Sequence, residues 1–247
     1  MMPKAVLRLH AMDYYLCANG AKLYDAAGTE LFSQVMSRDK VQGLMEALSP
    51  LDARWNVHSE GRSWIEREGV TYMVASTTPS KLKQLVPRSP RHIRSLILAA
   101  FHRFVGERGK RIVGSIDPVV AAHETFEKVG CSFTSEEACE RAGRLIGKLG
   151  GFEVARVWER ELEITDAGIT KGTTAEWLMA HLGIERERSV AFGDSKNDAP
   201  LIGYVGRFVA MGNASDDLKA MADEVCEPLS RDGVARWIEA QIREANE

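Results

Sequence analysis

The chain has 247 residues, of which 45% are hydrophobic and 27% are charged, and its formal net charge is −3. This length allows one large or two modest domains with real hydrophobic cores, and the lack of a basic surplus argues against nucleic acid and membranes as partners. The longest apolar cluster, residues 96–105, is too short to span a bilayer. Because the four cysteines are scattered without metal-ligand spacing and no apolar leader is present, we expect a cytoplasmic protein.

Hairpins and helices alternate irregularly over the first two thirds of the chain. Asn19-Gly20 and Glu60-Gly61 are turn signals between pairs of strand-like runs, and Ser49-Pro50 ends a stretch of helical spacing. The predicted strands are residues 14–17, 21–24, 55–58, 63–66, 70–75, 111–116, 152–158 and 161–164. The predicted helices are residues 38–48, 91–105 and 136–149. The tryptophans interpreted as core residues of this region are Trp55, Trp64 and Trp158.

Helices and strands alternate regularly from Lys171 onward. Predicted helices over 174–182, 197–204, 214–221 and 233–245 are separated by predicted strands over 190–192, 208–211 and 224–226. Such alternation favours an α/β fold with a parallel sheet. The change from an irregular to a regular alternation of helices and strands predicts an α/β core split by an inserted α+β module. We assign residues 1–34 and 160–247 to the core and residues 35–159 to the inserted module.

The run from Gly193 to Asp198 carries the clearest chemical signal. It follows a strand predicted to be buried, and it places the carboxylates of Asp194 and Asp198 near the strand's C-terminal end. Ligand sites in open α/β sheets lie at that edge, and paired carboxylates suit a hard cation such as Mg²⁺. A second interpretation is a simple strand-to-helix turn in which Asp194 or Ser195 caps the helix.

Four segments occur in a fixed order in the last third: residues 170–172, 193–198, 209–214 and 231–234. Together they resemble the haloacid dehalogenase superfamily of phosphatases, specifically its Cof-type branch, subfamily IIB. The resemblance covers residues 161–239 and extends to the Cys17–Ala21 segment. It implies a Rossmannoid core with a parallel sheet and a C2-type α+β cap domain over residues 35–159.

The resemblance also implies roles for individual residues. In this family an aspartate attacks a phosphate ester, and water hydrolyses the resulting phosphoaspartate with the help of Mg²⁺. Lys171 would bridge the nucleophile and a phosphoryl oxygen. Asp194 would ligate Mg²⁺, with Asp198 and Asn197 holding coordinated water or orienting the nucleophile. Asn213 is a candidate phosphate-binding residue in a segment that is otherwise interpreted as structural.

The family's nucleophile motif, Asp-x-Asp-Gly-Thr, does not occur in this sequence. The approximate match at residues 25–29 lacks the second aspartate and falls in a hairpin turn, so we interpret Asp25 as a turn residue. We therefore expect this chain to be inactive, and we expect the sheet edge exposed by the missing strand to favour self-association. If Met1 is an internal methionine, the motif should be encoded about 60 codons upstream, because two βα units take about 30 residues each.

Two functions remain open at this stage. The first is a Mg²⁺-dependent phosphatase of small phosphorylated metabolites, with sugar phosphates as the first expectation. The second is a degenerate, non-catalytic relative that binds a ligand or another protein. Retention of Lys171, Asp194 and Asp198 together favours the first, because a purely structural descendant has no physical need for all three.

Overall fold

The computed structural model describes residues 12–70 and 110–246. The fold divides into two compact units, and the boundary falls between Ala167 and Gly168. The helix expected over residues 91–105 and, apart from Val70, the strand expected over residues 70–75 lie outside the described residues. None of the described helices is long and apolar enough to cross a membrane.

The first unit begins with a small antiparallel sheet. Its strands, in spatial order, are β1 (Tyr14–Cys17), β2 (Lys22–Asp25) and β3 (Glu30–Ser33). Asn19 has a φ of 59° and Gly20 a φ of 111°, which confirms the predicted Asn-Gly turn. Asp25 Oδ1 accepts a hydrogen bond from the Thr29 N–H at 2.7 Å, and this bond lowers the pKa of the Asp25 carboxyl. Asp25 is thus a turn residue, as predicted.

A six-stranded sheet forms the body of the first unit. Its strands, in spatial order, are β10 (Phe152–Trp158), β11 (Glu161–Asp166), β9 (Lys128–Ser132), β5 (Arg54–Ser59), β6 (Arg62–Glu66) and β7 (Lys110–Val113). Neighbours pair antiparallel except for β6 and β7, which are parallel. Two short strands, β4 (Met36–Ser37) and β8 (Thr125–Phe126), pair with each other.

The core of the first unit lies between this sheet and its helices. The helices are α1 (Arg38–Leu48), α2 (Asp117–Ala122) and α3 (Glu136–Leu149). Leu44 and Ile146 on the helices and Ile164 on the sheet are fully buried in one cluster. Trp55 and Trp64 belong to the same cluster, as predicted. The prediction for Trp158 was wrong: its side chain is 48% exposed, because it ends β10, the strand at the edge of the sheet.

The second unit is the predicted α/β arrangement. Three parallel strands lie in the order β12 (Val190–Gly193), β13 (Arg207–Ala210) and β14 (Glu224–Val225). The helices are α4 (Lys171–Leu182), α5 (Asp216–Met221) and α6 (Gly233–Ala245), with a 3-10 turn at Lys196–Leu201. Phe192 packs edge-to-face on Trp237 of α6, with ring centroids 5.3 Å apart. Phe208 of β13 contributes to a separate cluster that contains Leu218 of α5.

Residues 190–192 lie in a strand, as predicted, but the prediction that this strand is buried was wrong. Val190 is 42% exposed, and Ala191 and Phe192 are half-buried. Among the residues that the structure describes, β12 pairs only with β13, which makes it an edge strand. A run of apolar residues is typical of a central parallel strand, but the position of a strand within its sheet decides how much of it is covered.

Candidate active site

Lys171 is the first residue of α4, and two local features fix its position. Thr170 caps the helix: its Oγ1 accepts the Thr173 N–H at 3.1 Å, and its own N–H donates to Thr173 Oγ1 at 2.9 Å. At Gly172, a Cβ would lie 2.0 Å from the Pro200 carbonyl oxygen. The absence of a side chain therefore lets the start of α4 pack directly on the turn at 196–201, beside Asp198.

Asp198 is the centre of the site. Its side chain is buried, and Oδ1 lies 2.5 Å from Lys171 Nζ. Oδ2 accepts the backbone N–H groups of Asp194 and Ser195, each at 3.1 Å. Both carboxylate oxygens are thus engaged by donors, so Asp198 has the contacts of a positioning residue rather than of a free cation ligand.

Gly193 lets the chain turn back toward Asp198. A Cβ on Gly193 would lie 2.5 Å from Asp198 Cβ and 2.8 Å from Phe208 Cζ, which real atoms do not tolerate. Ser195 is the N-cap of the following turn and forms a capping box with Asp198. The second interpretation of this segment, a turn capped by Ser195, is therefore correct, and it coexists with the ion pair to Lys171.

Asp194 differs from Asp198 in being exposed. Its Oδ2 accepts a hydrogen bond from Asn213 Nδ2 at 3.2 Å, and its Oδ1 makes no hydrogen bond within the described part of the chain. An exposed carboxylate with one free oxygen is the donor type that Mg²⁺ prefers. Within residues 12–70 and 110–246 there is no group of three or more His, Cys, Asp or Glu side chains able to hold a metal ion. Asp194 thus fits a magnesium ion that takes its remaining ligands from water or substrate.

The two asparagines occupy different positions around these carboxylates. Asn197 Oδ1 lies 2.5 Å from Ser195 Oγ, whereas its Nδ2 group has no hydrogen-bond partner among the described residues and is available to an anion. Asn213 is exposed and also accepts the Leu229 N–H through Oδ1, at 2.9 Å. The sequence analysis missed two backbone donors, the Ser195 N–H to Asp198 and the Leu229 N–H to Asn213, because a backbone N–H carries no side-chain signal.

A cavity of about 440 Å³ lies elsewhere, in the first unit. Its charged lining residues are largely satisfied internally. Arg54 pairs with Asp52 and Glu68, and Glu66 accepts the backbone N–H groups of Trp55 and Ile116. We therefore assign no chemistry to this cavity. The residues suited to bind a cation and an anion together are those around Asp198.

Comparison with known proteins identifies relatives. A family model described as haloacid dehalogenase-like hydrolase matches residues 1–238. Phosphoglycolate phosphatase of Methanobrevibacter smithii is 41% identical over 78 residues, which are 32% of this chain and 33% of that enzyme. Phosphatase YwpJ of Bacillus subtilis is 24% identical over 240 residues, covering 91% of this chain and 78% of the relative. The match to phosphoglycolate phosphatase therefore spans only a third of that enzyme's length.

One solved structure supplies a comparison for the fold. The subclass IIB sugar phosphatase BT4131 superposes with a TM-score of 0.70 at 19% sequence identity. The match covers 96% of this chain and 78% of that one. At this level of identity the likeness shows a shared fold.

Proposed function

The chain belongs to the haloacid dehalogenase-like hydrolases, and we propose that it serves a Mg²⁺-dependent phosphatase reaction on small phosphorylated metabolites. Sugar phosphates are the proposed substrate class. The names of two relatives, phosphoglycolate phosphatase and phosphatase YwpJ, support a phosphatase of small phosphorylated metabolites, and the name sugar phosphatase given to BT4131 supports the substrate class. The proposed division into a core and a cap over residues 35–159 follows the same family pattern.

One observation carries the proposal: Lys171 Nζ contacts Asp198, which in turn holds the backbone of Asp194. A helix-capping role alone explains why Asp198 accepts backbone N–H groups. It gives no reason for a lysine of helix α4 to contact the same carboxylate. A lysine linked through Asp198 to the exposed carboxylate of Asp194 provides one cation for an anion and one anion for a cation. A phosphate ester bound with a divalent metal needs both.

We assign each residue a role on this basis. Asp194 would hold Mg²⁺ through its free oxygen, and Asp198 would keep Lys171 and the Asp194 backbone in place. Lys171 and the Nδ2 group of Asn197 would donate to phosphoryl oxygens. When bound, Mg²⁺ supplies charge neutralisation of the phosphate during transfer. Asn213 contacts Asp194 rather than an open position, so we propose that it supports the metal ligand.

The sequence between Met1 and Glu247 contains no Asp-x-Asp-Gly-Thr motif, so no nucleophile is assigned. We therefore expect this chain to bind a phosphorylated ligand without hydrolysing it. The second candidate is a non-catalytic relative that retains ligand binding. An in-frame motif upstream of the Met1 codon would favour the phosphatase, and a nearby stop codon would favour the non-catalytic relative.

Calorimetric titration with a hexose phosphate, with and without Mg²⁺, tests the proposal. Binding should require Mg²⁺ and should weaken at least about tenfold in Asp194→Asn and in Lys171→Met, because each removes one ionic contact with the metal-phosphate pair. Lys219→Met, which changes an unrelated lysine on α5, is the control. Mg²⁺-independent binding, or equal affinity in all variants, would exclude the site. Robust turnover of an aryl phosphate that is lost in Asp194→Ala would show that a nucleophile is present after all.

A further inference from the structure

Asn213 joins the proposed metal ligand to a loop that has no assigned role. Its Nδ2 donates to Asp194 Oδ2 at 3.2 Å, and its Oδ1 accepts the backbone N–H of Leu229 at 2.9 Å. Resting on the function proposed above, we infer that the Leu229 N–H is a positioning group for the metal site. It orients the Asn213 amide, and the amide in turn orients the Asp194 carboxylate.

The orientation of the amide follows from donor and acceptor chemistry. A backbone N–H only donates, and an ionised carboxylate only accepts. Asn213 must therefore present Oδ1 to Leu229 and Nδ2 to Asp194, and the flipped amide would lose both hydrogen bonds. Without the Leu229 N–H the amide keeps only its single hydrogen bond to Asp194 and is free to rotate away from it. The Leu229 N–H thus supplies the second anchor that holds the Asn213 amide in one orientation at the carboxylate.

Close approaches of the backbone place this N–H group. A Cβ on Gly212 would lie 2.7 Å from the Pro228 nitrogen, and one on Gly233 would lie 1.7 Å from the Glu227 carbonyl oxygen. The backbone just before Leu229 therefore packs directly against Gly212 and Gly233, and a side chain at either glycine would collide with it. The Leu229 side chain itself is 71% exposed, so the residue contributes through its backbone rather than through packing.

The hydrogen bond from Asn213 has a consequence for the cation. An exposed aspartate samples several side-chain rotamers, and binding a metal ion requires one of them. With Oδ2 held by the amide, the carboxylate is fixed with Oδ1 free toward the metal. Groups that orient a metal ligand in this way typically change metal affinity by about 10–100-fold.

The backbone offers a sharp test in Leu229→Pro with Leu229→Ala as its matched control. Leu229 is the first residue of a 3-10 turn, where proline is tolerated, and Pro228 has a φ of −68° and a ψ of 163°, which suit a residue before proline. Both variants lose the exposed side chain, but only proline removes the N–H. Asn213→Ala removes the same link without touching the loop.

Titration with Mg²⁺ alone, followed by NMR, measures the effect. We expect Leu229→Pro and Asn213→Ala to bind Mg²⁺ at least about tenfold more weakly than Leu229→Ala, which should match the parent chain. In the parent and in Leu229→Ala, the side-chain NH₂ resonance of Asn213 should shift on addition of Mg²⁺. In Leu229→Pro it should lie near the position of a solvent-exposed amide and should not respond.

Three outcomes would overturn the inference. If Leu229→Pro and Leu229→Ala bind Mg²⁺ equally well while Asp194→Asn binds it more weakly, the positioning role is refuted and the proposed metal site stands. Loss of affinity in Leu229→Pro but not in Asn213→Ala would assign the effect to the loop and refute the amide link. Unchanged Mg²⁺ binding in Asp194→Asn would refute the metal site and this inference together.

Discussion

Lys171 and Asp198, 27 positions apart in the sequence, are joined by an ion pair of 2.5 Å between Nζ and Oδ1. The pair is largely shielded from solvent, with the two side chains 24% and 12% exposed. Such a pair is costly unless further donors satisfy the remaining lone pairs, which the Asp194 and Ser195 N–H groups do here. Asp198 is therefore both a structural residue and the link between the lysine and the proposed metal ligand.

Substitutions of Asp198 and Asp194 should affect different properties, stability for the first and metal binding for the second. Asp198→Asn replaces one acceptor by a donor, so either Lys171 or the backbone N–H groups lose their partner. We expect the free energy of unfolding to fall by about 1–3 kcal/mol. Asp194→Asn changes an exposed residue and should stay within about 0.5 kcal/mol of the parent, while it abolishes the response to Mg²⁺. Chemical denaturation checks both variants, and an equal loss of stability in the two would contradict the assignment.

Gly172 and Gly143 are both helical glycines, but their surroundings differ. A Cβ at Gly172 would meet the Pro200 carbonyl oxygen at 2.0 Å, whereas a Cβ at Gly143 in α3 would have no neighbour within 4 Å. We expect Gly172→Ala to destabilise by about 1–3 kcal/mol, because backbone must move to make room. Gly143→Ala should stabilise by about 0.5–1 kcal/mol through its higher helix propensity. Thermal unfolding that showed the same sign for both would disprove the close packing of α4 on the turn.

Val190 and Val209 test the edge position of β12. Val209 of β13 is fully buried, whereas Val190 is 42% exposed. Replacing valine by threonine keeps the shape but adds a hydroxyl group. At Val209 the hydroxyl would be buried, and we expect a loss of about 1–3 kcal/mol. Val190→Thr should change stability by less than about 0.5 kcal/mol, and a comparable loss there would mean that the edge of β12 is covered.

The sequence predicted the elements better than their surroundings. Helix α1 and helix α6 begin and end at the predicted residues because apolar periodicity is a local signal. The exposure of Val190 and of Trp158 could not be predicted, since no local pattern shows which strand will lie at an edge. The link from Asn213 to Leu229 was equally hidden, because it uses a backbone group whose position depends on the fold.

Glu161 on β11 should make the stability of the first unit depend on pH. Burial raises the pKa of its carboxyl, and the neighbouring charge of Glu163 raises it further, while Lys110 and Lys128 oppose the shift. A raised folded-state pKa means that the charged form is disfavoured in the fold. At a pH above the raised pKa the carboxylate is charged in both states, so the folded state carries this penalty in full. The penalty fades as the pH falls through the raised pKa, and it is gone below the ordinary value of 4.5.

Glu161→Gln removes the charge and keeps the shape. We expect the variant to be more stable than the parent at pH 7, and we expect the difference to shrink steadily as the pH is lowered to about 4. Glu159→Gln, at an exposed position in the same hairpin, is the control and should show no such trend. Urea denaturation at several pH values measures the gap. A gap that widened toward low pH would mean that Glu161 is stabilised as a carboxylate in the fold, with Lys110 and Lys128 outweighing its burial.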